Sequence, residues 1–145
     1  MVKQDDIFDS SVGWVAKHIR EYVETDGRKG HKWYGAPTLL LTTRGRKSGL
    51  RRRTALIYGR DGDNYIVVAS RGGHKQHPAW YLNLAANPDV EVQVGADKFP
   101  AHARTGTAEE KARLWPLMTS IWPAYDDYQA RTDREIPVVI LVAVR

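Results

Sequence analysis

The 145 residues include 22 lysines and arginines against 17 acidic residues, for a formal net charge of +5, and contain no cysteine. The length suits one domain with its own core, and the lack of cysteine excludes disulfides, thiolate nucleophiles, iron–sulfur clusters and thiolate zinc sites. No apolar run approaches the roughly 18 residues of a membrane-spanning helix, and the N-terminus lacks a signal core, so we expect a cytoplasmic protein with anionic partners.

The N-terminal segment predicts a helix. Apolar residues step by three and four from Phe8 to Tyr22, which is the spacing of an amphipathic helix that ends near Gly27. We assign this helix to residues 1–30 and the sheet that follows to residues 31–145, within a single domain.

Six segments have the alternation, β-branching or flanking turn residues expected of strands. The first two flank a glycine-containing turn and form a hairpin, and the last is an apolar run expected to be buried on both faces. In chain order, the predicted strands are residues 38–44, 52–59, 65–70, 90–94, 98–104 and 136–144.

Two further helices are predicted between these strands. Pro78 suits the first turn of a short helix that ends at Asn87. Thr107 and Glu110 have the spacing of a capping box that opens a longer helix. Pro116 lies inside that helical pattern and predicts a kink or a break there.

Hairpin-linked strands with few helices favour an antiparallel closed sheet over a parallel, doubly wound one. The expected fold is therefore α+β and mainly β, a small six-stranded barrel with helices packed outside. The chain has no GxGxxG sequence and no Walker loop, which argues against Rossmann and P-loop folds.

A dense basic segment lies on the predicted hairpin. Gly45 and Gly49 allow close approach of a phosphate oxygen to the turn, and Ser48 adds a hydroxyl. The alternative is a solvated, charged edge that discourages aggregation. Since charges of one sign repel one another, we favour an anionic ligand. Six cations fall within ten residues, without an acid among them: Arg44, Arg46, Lys47, Arg51, Arg52 and Arg53.

A second basic loop, residues 71–75, follows the third predicted strand. Strands adjacent in one sheet would bring it to the same side as the basic turn, where a cleft could hold a phosphate and further carboxylates. Single-stranded nucleic acid is the rival ligand, but its binding sites interleave aromatic and basic residues, whereas the aromatic residues here cluster elsewhere.

One aromatic cluster is the segment HPAWYLN, residues 77–83, which reads as a core helix. His74 and His77 have no carboxylate nearby with which to bind a metal, so we expect no metal site and expect His77 to cap or brace the loop.

The other aromatic cluster is Trp122, Tyr125 and Tyr128, whose spacing of three places the rings along one helical face. Core packing is the simpler interpretation. The intervening residues are polar, however, which favours an aromatic face that borders solvent and covers a planar substrate. No hydrolase motif is present, so an enzyme of this sequence would use a bound cofactor.

These segments, in this order, resemble the deazaflavin-dependent nitroreductase family, the coenzyme F420-dependent quinone and nitroimidazole reductases of actinobacteria. The likeness covers nearly the whole chain beyond residue 33. The matching stretches are TTRGRKSG, RTAL, ASRGG, HPAWYLNLAANP, WPLMTSIWPAYDDYQ and TDREIPVVIL. The resemblance implies a split β-barrel like that of FMN-binding flavin reductases. It also implies coenzyme F420, with its phosphate and oligoglutamate tail in the basic groove.

The resemblance also implies site residues. Those expected to contact the cofactor are Arg46, Lys47, Ser48, Arg52, Arg53, Thr54, Ala55, Leu56, Ile57, Val68, Ala69, Ser70, Arg71, Ala79, Trp80, Tyr81, Leu82, Asn83 and Tyr125. Those expected to cover the substrate are Trp122, Tyr125 and Tyr128. Ser70, Tyr125 and Tyr128 are the candidate catalytic residues.

The implied reaction is hydride transfer from the reduced deazaflavin to a quinone, an enone or lactone, or a nitroaromatic compound. The chain departs from the family pattern at Trp122, where the nitroimidazole-activating member has tyrosine, and at Arg71, where lysine is common. The alternatives are an FMN-dependent reductase of the same barrel class, a single-strand nucleic-acid binding module, and a cofactor carrier without catalysis. We expect a monomer or homodimer, with at most weak peripheral association with the inner membrane face, because the N-terminal helix is acidic.

Overall fold

The computed structural model describes residues 6–10 and 13–144. Within these ranges the chain forms nine strands, four α-helices and a 3-10 turn at Arg71–Gly73. The strands are β1 (Ile7–Asp9), β2 (Lys32–Trp33), β3 (Ala36–Arg44), β4 (Arg51–Ile57), β5 (Gly59–Asp61), β6 (Asn64–Val68), β7 (Asp89–Val94), β8 (Asp97–Thr105) and β9 (Val138–Ala143). The helices are α1 (Gly13–Thr25), α2 (Ala79–Ala86), α3 (Ala108–Ile121) and α4 (Ala124–Ala130).

The strands form one sheet in the order β1-β4-β3-β7-β8-β9-β6-β5, with β2 paired to β3. All six predicted strands are present, and their pairing is antiparallel. The short strands β1, β2 and β5 were not predicted, and β1 pairs with β4 in parallel. The prediction of a closed sheet is wrong for the described residues. β4 pairs with β3 along one edge and with β1 along the other, so it has no edge left to close the sheet.

The N-terminal helix is shorter than predicted. Phe8 lies in β1 opposite Arg52, and α1 begins only at Gly13; Val12 lies outside the described residues. From Val15 onward the predicted spacing is correct, since Val15, Ile19 and Tyr22 are buried together against Leu40 of β3. No helix among the described residues has the length and apolar character needed to cross a bilayer.

The core lies on both sides of β6 and β9. Val67 and Leu141 point into the cluster enclosed by the curved sheet. Ile66 and Ile140 point the other way, into a cluster covered by α3 and α4. Because successive side chains of a strand alternate between faces, β9 is buried on both faces, as its apolar sequence predicts.

The predicted helix boundaries are largely confirmed. Thr107 and Glu110 form both hydrogen bonds of the capping box. Of the kink or break predicted at Pro116, the break is wrong, because α3 continues through this residue to Ile121, and the kink stays a prediction. Leu114 and Met118 are buried on either side of Pro116, so packing holds both halves of the helix although the proline lacks an N–H to donate.

Candidate functional site

The turn between β3 and β4 presents three of the predicted cofactor residues, Arg46, Lys47 and Ser48, all exposed. Its shape is fixed internally, because Gly45 N–H donates to the Leu50 carbonyl at 2.7 Å. A Cβ atom on Gly45 would lie 2.6 Å from the Ser48 hydroxyl oxygen, so a larger residue there would displace the Ser48 side chain. The turn therefore presents its charges on a defined backbone.

Asn83 of α2 anchors this turn. Its side chain is buried, and its Oδ1 accepts hydrogen bonds from the backbone N–H of Arg46 at 3.1 Å and from the Arg46 guanidinium at 3.3 Å. Its amide nitrogen donates to the Thr43 hydroxyl at 3.2 Å. Contact between Asn83 and the cofactor stays a prediction, whereas the observed role of this side chain is to orient Arg46.

The arginines of β4 have partners within the protein. Arg53 donates to the Asp9 carboxylate at 2.5 and 3.1 Å, and the Arg52 guanidinium lies 5.4 Å from the centroid of the Phe8 ring. Arg51 pairs with Glu91. These contacts explain how the fold tolerates so many like charges. The predicted roles of Arg52 and Arg53 stay predictions, and an anionic ligand of Arg53 would compete with Asp9.

The second basic loop has the backbone geometry of an anion site. Ser70 has right-handed helical angles, and Arg71, Gly72 and Gly73 follow with positive φ values of 45°, 62° and 80°. The step from right-handed angles at Ser70 to left-handed angles at Arg71 is the arrangement called a nest, in which adjacent N–H groups point into one concavity that suits an anion. The N–H groups of Gly73 and His74 are not part of it, because they donate to the carbonyls of Ser70 and Arg71. The Ser70 side chain is buried, and the Arg71 side chain is exposed.

Arg134 holds this loop in place and was not among the predicted site residues. Its guanidinium donates to the carbonyls of His74 at 2.7 Å, Ser70 at 2.7 Å and Ala69 at 3.2 Å. The available signal was its position in the stretch TDREIPVVIL, immediately before β9. Because one guanidinium donates to three backbone carbonyls, Arg134 holds the loop in its folded conformation.

Arg134 also contacts the ring of His77, with 3.1 Å between a guanidinium nitrogen and Nδ1. Burial, followed by the charge of Arg134, lowers the pKa of His77. Because a guanidinium only donates, His77 Nδ1 is the acceptor and the imidazole is neutral with its proton on Nε2. The prediction that His77 braces the loop is confirmed.

The aromatic trio does not lie on one helical face, which corrects the prediction. Trp122 follows the last residue of α3 and is not helical, since a residue before proline is disfavoured in the helical conformation, and Pro123 precedes α4. Tyr125 is buried in the cluster beneath α3 instead of bordering solvent. Only Tyr128 and Trp122 remain half-buried, and the Trp122 indole N–H donates to the Tyr128 hydroxyl at 3.4 Å.

These segments meet in one region. Asn83 ties the basic turn to α2, and His77, just before α2, ties its beginning to Arg134 and the second basic loop. That loop also touches α4, because a Cβ atom on Gly73 would lie 2.5 Å from the Tyr128 carbonyl oxygen. The structure thus brings the predicted turn, loop, helix and aromatic residues together.

The remaining predicted residues frame this region. Thr54, Ala55, Leu56 and Ile57 are half-buried on β4, and Val68 and Ala69 are buried at the end of β6. Ala79, Trp80, Tyr81 and Leu82 form the first half of α2. Exposed cations, a nest and aromatic rings fit a flat cofactor with an anionic tail. The described residues contain no group of three or more histidine and acidic side chains placed to hold a metal ion.

Two grooves of about 320 and 260 Å³ lie near β3, β4 and β7, and Arg53, one of the predicted cofactor residues, lines the smaller one. Both include Glu91, which pairs with Arg51, and the larger also includes Asp89. Both grooves also have cations on their walls, but neither includes a residue of α2, of the turn that Asn83 anchors or of the loop that Arg134 holds. We therefore place the site at those three segments.

Comparison with known proteins agrees with the geometry. The family model described as F420H(2)-dependent quinone reductase matches residues 14–143. A relative named F420H(2)-dependent quinone reductase from Mycobacterium tuberculosis is 47% identical over 141 residues, covering 88% of this chain and 95% of its own. A Mycobacterium bovis relative named as a quinone reductase of the same type has the same identity and coverage.

Solved structures support the same relationship. One described as a domain-swapped dimer is 39% identical with a TM-score of 0.70, covering 91% of this chain and 99% of the other. An F420-H2 dependent reductase is 43% identical with a TM-score of 0.67, covering 72% and 93%. The heme storage protein HutZ of Vibrio cholerae, at 16% identity and a TM-score of 0.58, shares the fold alone. The resemblance seen in the sequence is confirmed: the chain belongs to the F420H(2)-dependent quinone reductase family.

Proposed function

We propose that this protein transfers a hydride from reduced coenzyme F420 to a quinone or a similarly electron-poor conjugated acceptor. Family membership supports the reaction class. The observation that carries the proposal in this chain is the joining of two basic segments through α2, by Asn83 on one side and by His77 with Arg134 on the other. No acid is among the predicted binding residues.

The two basic segments divide the recognition of the cofactor between them. Lys47 and Arg46 are exposed on the turn and suit the carboxylates and phosphate of the tail. The nest formed by Ser70 and Arg71 orients adjacent backbone N–H groups towards one side of the loop, which suits an anionic group of the cofactor. Reduced F420, when bound, supplies the hydride.

The protein's own contribution to the reaction is position and polarity. Holding the reactants in contact can account for several kcal/mol of the barrier. Burial, followed by the neighbouring Tyr128, raises the pKa of Tyr125, so its hydroxyl remains protonated and able to donate at neutral pH. We assign Ser70 as a donor to the acceptor oxygen and Tyr128 as a proton source at the aromatic cover formed with Trp122, whereas the buried Tyr125 packs edge-on against Tyr128 and supports that cover.

Cofactor binding is tested by titrating the purified protein with F420 and following the coenzyme fluorescence. Lys47→Ala should weaken binding about tenfold, since loss of one charge-assisted contact is worth about 1.4 kcal/mol. Lys98→Ala, an exposed charge on β8, is the matched control and should leave the affinity unchanged. Failure of F420 to saturate the protein, or equal effects of the two variants, would refute the assignment.

Turnover is tested by oxidation of reduced F420 with menadione, with FMN as the competing cofactor. We expect turnover with F420 alone, and Ser70→Ala should lower kcat on the order of 100-fold, as is typical for loss of one donor to a developing oxyanion. Tight FMN binding without response to F420 would support the flavin alternative, and binding without turnover would support a carrier.

Self-association is part of the proposal, because the 39% identical structure is described as a domain-swapped dimer. We propose a homodimer, which light scattering of the eluting protein tests directly. A mass of one chain across micromolar concentrations would contradict it.

A further inference from the structure

Three aromatic residues from separate elements form a surface stripe outside the region described above. Trp14 of α1 stacks on Trp33 of β2 with ring centroids 4.9 Å apart, and Tyr34 meets Trp33 edge-on at 4.8 Å. Trp14 is 60% exposed and Tyr34 is 83% exposed. Among the described residues only Val144 is a further large hydrophobic residue with comparable exposure, so the aromatic exposure is concentrated at this stripe.

Tyr34 is held in an unfavourable conformation. Its φ of 46° lies in the left-handed region, which costs a bulky residue roughly 1–2 kcal/mol relative to glycine. Gly35 follows with a φ of 83°. The two-residue turn that joins β2 to β3 requires positive φ at both residues, so the turn explains this conformation, and the exposed ring contributes nothing to the core.

The stripe continues to the predicted substrate cover. Tyr34 lies 6.4 Å from Trp122, measured between ring centroids, and Trp122 donates to the Tyr128 hydroxyl. The ring path therefore runs without interruption from Trp14 on the outer surface to Tyr128 at the proposed site. This continuity points to one ligand that occupies both places.

Trp14 and Tyr34 expose ring surface to an apolar group, whereas Trp33 is half-buried between them. Within the described part of the chain, cation–π contacts fall on Phe8, Tyr65, Trp115 and Tyr128, and none falls on Trp14, Trp33, Tyr34 or Trp122. The rings carry no charge, so a ligand with a charged tail would have no ion-pairing partner among them. An unsaturated hydrocarbon chain would pack along them without desolvating a charge.

We propose that Trp14, Trp33 and Tyr34 bind the apolar side chain of a quinone acceptor whose ring lies beneath Trp122 and Tyr128. This inference rests on the proposed function. It means that the stripe makes the protein prefer quinones that carry an apolar side chain over quinones without one. The stripe acts on binding and leaves the hydride step unchanged.

Steady-state kinetics with two quinones of the same ring test the proposal. Menadione has no chain, and the matched naphthoquinone carries a prenyl chain. Trp14→Ala and Tyr34→Gly should each raise KM for the prenylated quinone about tenfold and leave kcat for that quinone unchanged. For menadione, both KM and kcat should stay unchanged. Tyr34→Gly relieves the backbone strain, so this variant should unfold at a temperature no lower than the parent protein.

Val144→Ala removes an exposed apolar side chain outside the stripe and is the matched control; it should change neither KM. Tyr34→Phe, which keeps the ring, should retain the preference for the prenylated quinone. Equal changes for the two quinones, or no change for either, would overturn the proposal.

Quenching of tryptophan fluorescence by each quinone, without coenzyme, gives a second readout. Stronger quenching by the prenylated compound that is lost in Trp14→Ala supports the stripe even if F420-dependent turnover fails, which separates this inference from the proposed function. Sedimentation with phosphatidylcholine vesicles tests a lipid surface as the occupant. Vesicle binding that Trp14→Ala abolishes, with quinone KM unaffected, would replace the quinone chain by a membrane.

Discussion

Replacement of Arg134 should damage both stability and cofactor binding, because one side chain fixes the loop that contains Ser70 and Arg71. Its guanidinium makes three hydrogen bonds to backbone carbonyls and one contact to His77, at distances of 2.7 to 3.2 Å. Arg134→Ala leaves the three carbonyls without this donor in a partly buried position.

The magnitude follows from those bonds. A hydrogen bond that involves a charged group contributes about 1.5–3 kcal/mol, and water can partly replace the arginine at a half-buried site. We therefore expect a loss of about 3 kcal/mol in unfolding free energy, or about 10 °C in Tm for a domain of this size. Arg134→Lys should lose nearly as much, because one ammonium cannot reach donors spread over a planar fork.

Thermal unfolding followed by circular dichroism measures the stability, and an F420 titration of the folded variants measures binding. Arg131→Ala is the control: Arg131 is exposed, with its guanidinium 5.7 Å from the Tyr128 ring, and should shift Tm only slightly. Wild-type stability of Arg134→Lys would show that charge alone suffices. A change below 1 kcal/mol in Arg134→Ala would show that the loop does not depend on this fork.

The other predictions concern single contacts. Gly73→Ala should destabilise the protein by about 2–4 kcal/mol in a denaturant titration, because a Cβ atom would meet the backbone of α4 at 2.5 Å. In the same titration, Gly72→Ala should cost about 1–2 kcal/mol, because residue 72 has open space around it but a positive φ. Hydrogen bonds from the guanidinium of Arg104 and from the backbone of the capping box lower the pKa of Glu110 to about 2. The stabilising contribution of the Glu110 carboxylate is therefore complete above pH 4.5 and is lost as pH falls towards 2. Glu110→Gln should flatten the acid-induced loss of stability in that window. Asn83→Ala should weaken F420 binding about tenfold by releasing the basic turn, with kcat at saturation unchanged; an unchanged affinity would separate the turn from the cofactor.

The paired arginines of β4 also bear on how the basic segment is interpreted. Six cations in ten residues suggested a single anion-binding surface, but Arg51 and Arg53 face Glu91 and Asp9, which lie 40 and 44 residues away in sequence. Sequence spacing cannot reveal such partners. The structure divides the segment into a turn that presents its charges to solvent and a strand on which Arg51 and Arg53 are paired with acids.

The aromatic trio shows a similar limit. Spacing of three suggested one helical face, and Pro123 was the signal against it, because proline disfavours a helical residue before it. The burial of Tyr125 matches the core-packing alternative, and spacing alone could not decide for it, since it depends on α4 packing over Met118 and Ile136.

The sequence by itself determined the elements whose cause is local: six strands with their alternation, the capping box at Thr107, and the motifs that identify the family. The tertiary structure alone decided the partners that lie far apart along the chain, above all Arg134 with the loop after β6 and Asn83 with the basic turn. Local propensity depends on a few neighbouring residues, whereas these contacts depend on which strands lie side by side. Strand order is fixed by burial of the whole core, and no single segment specifies it.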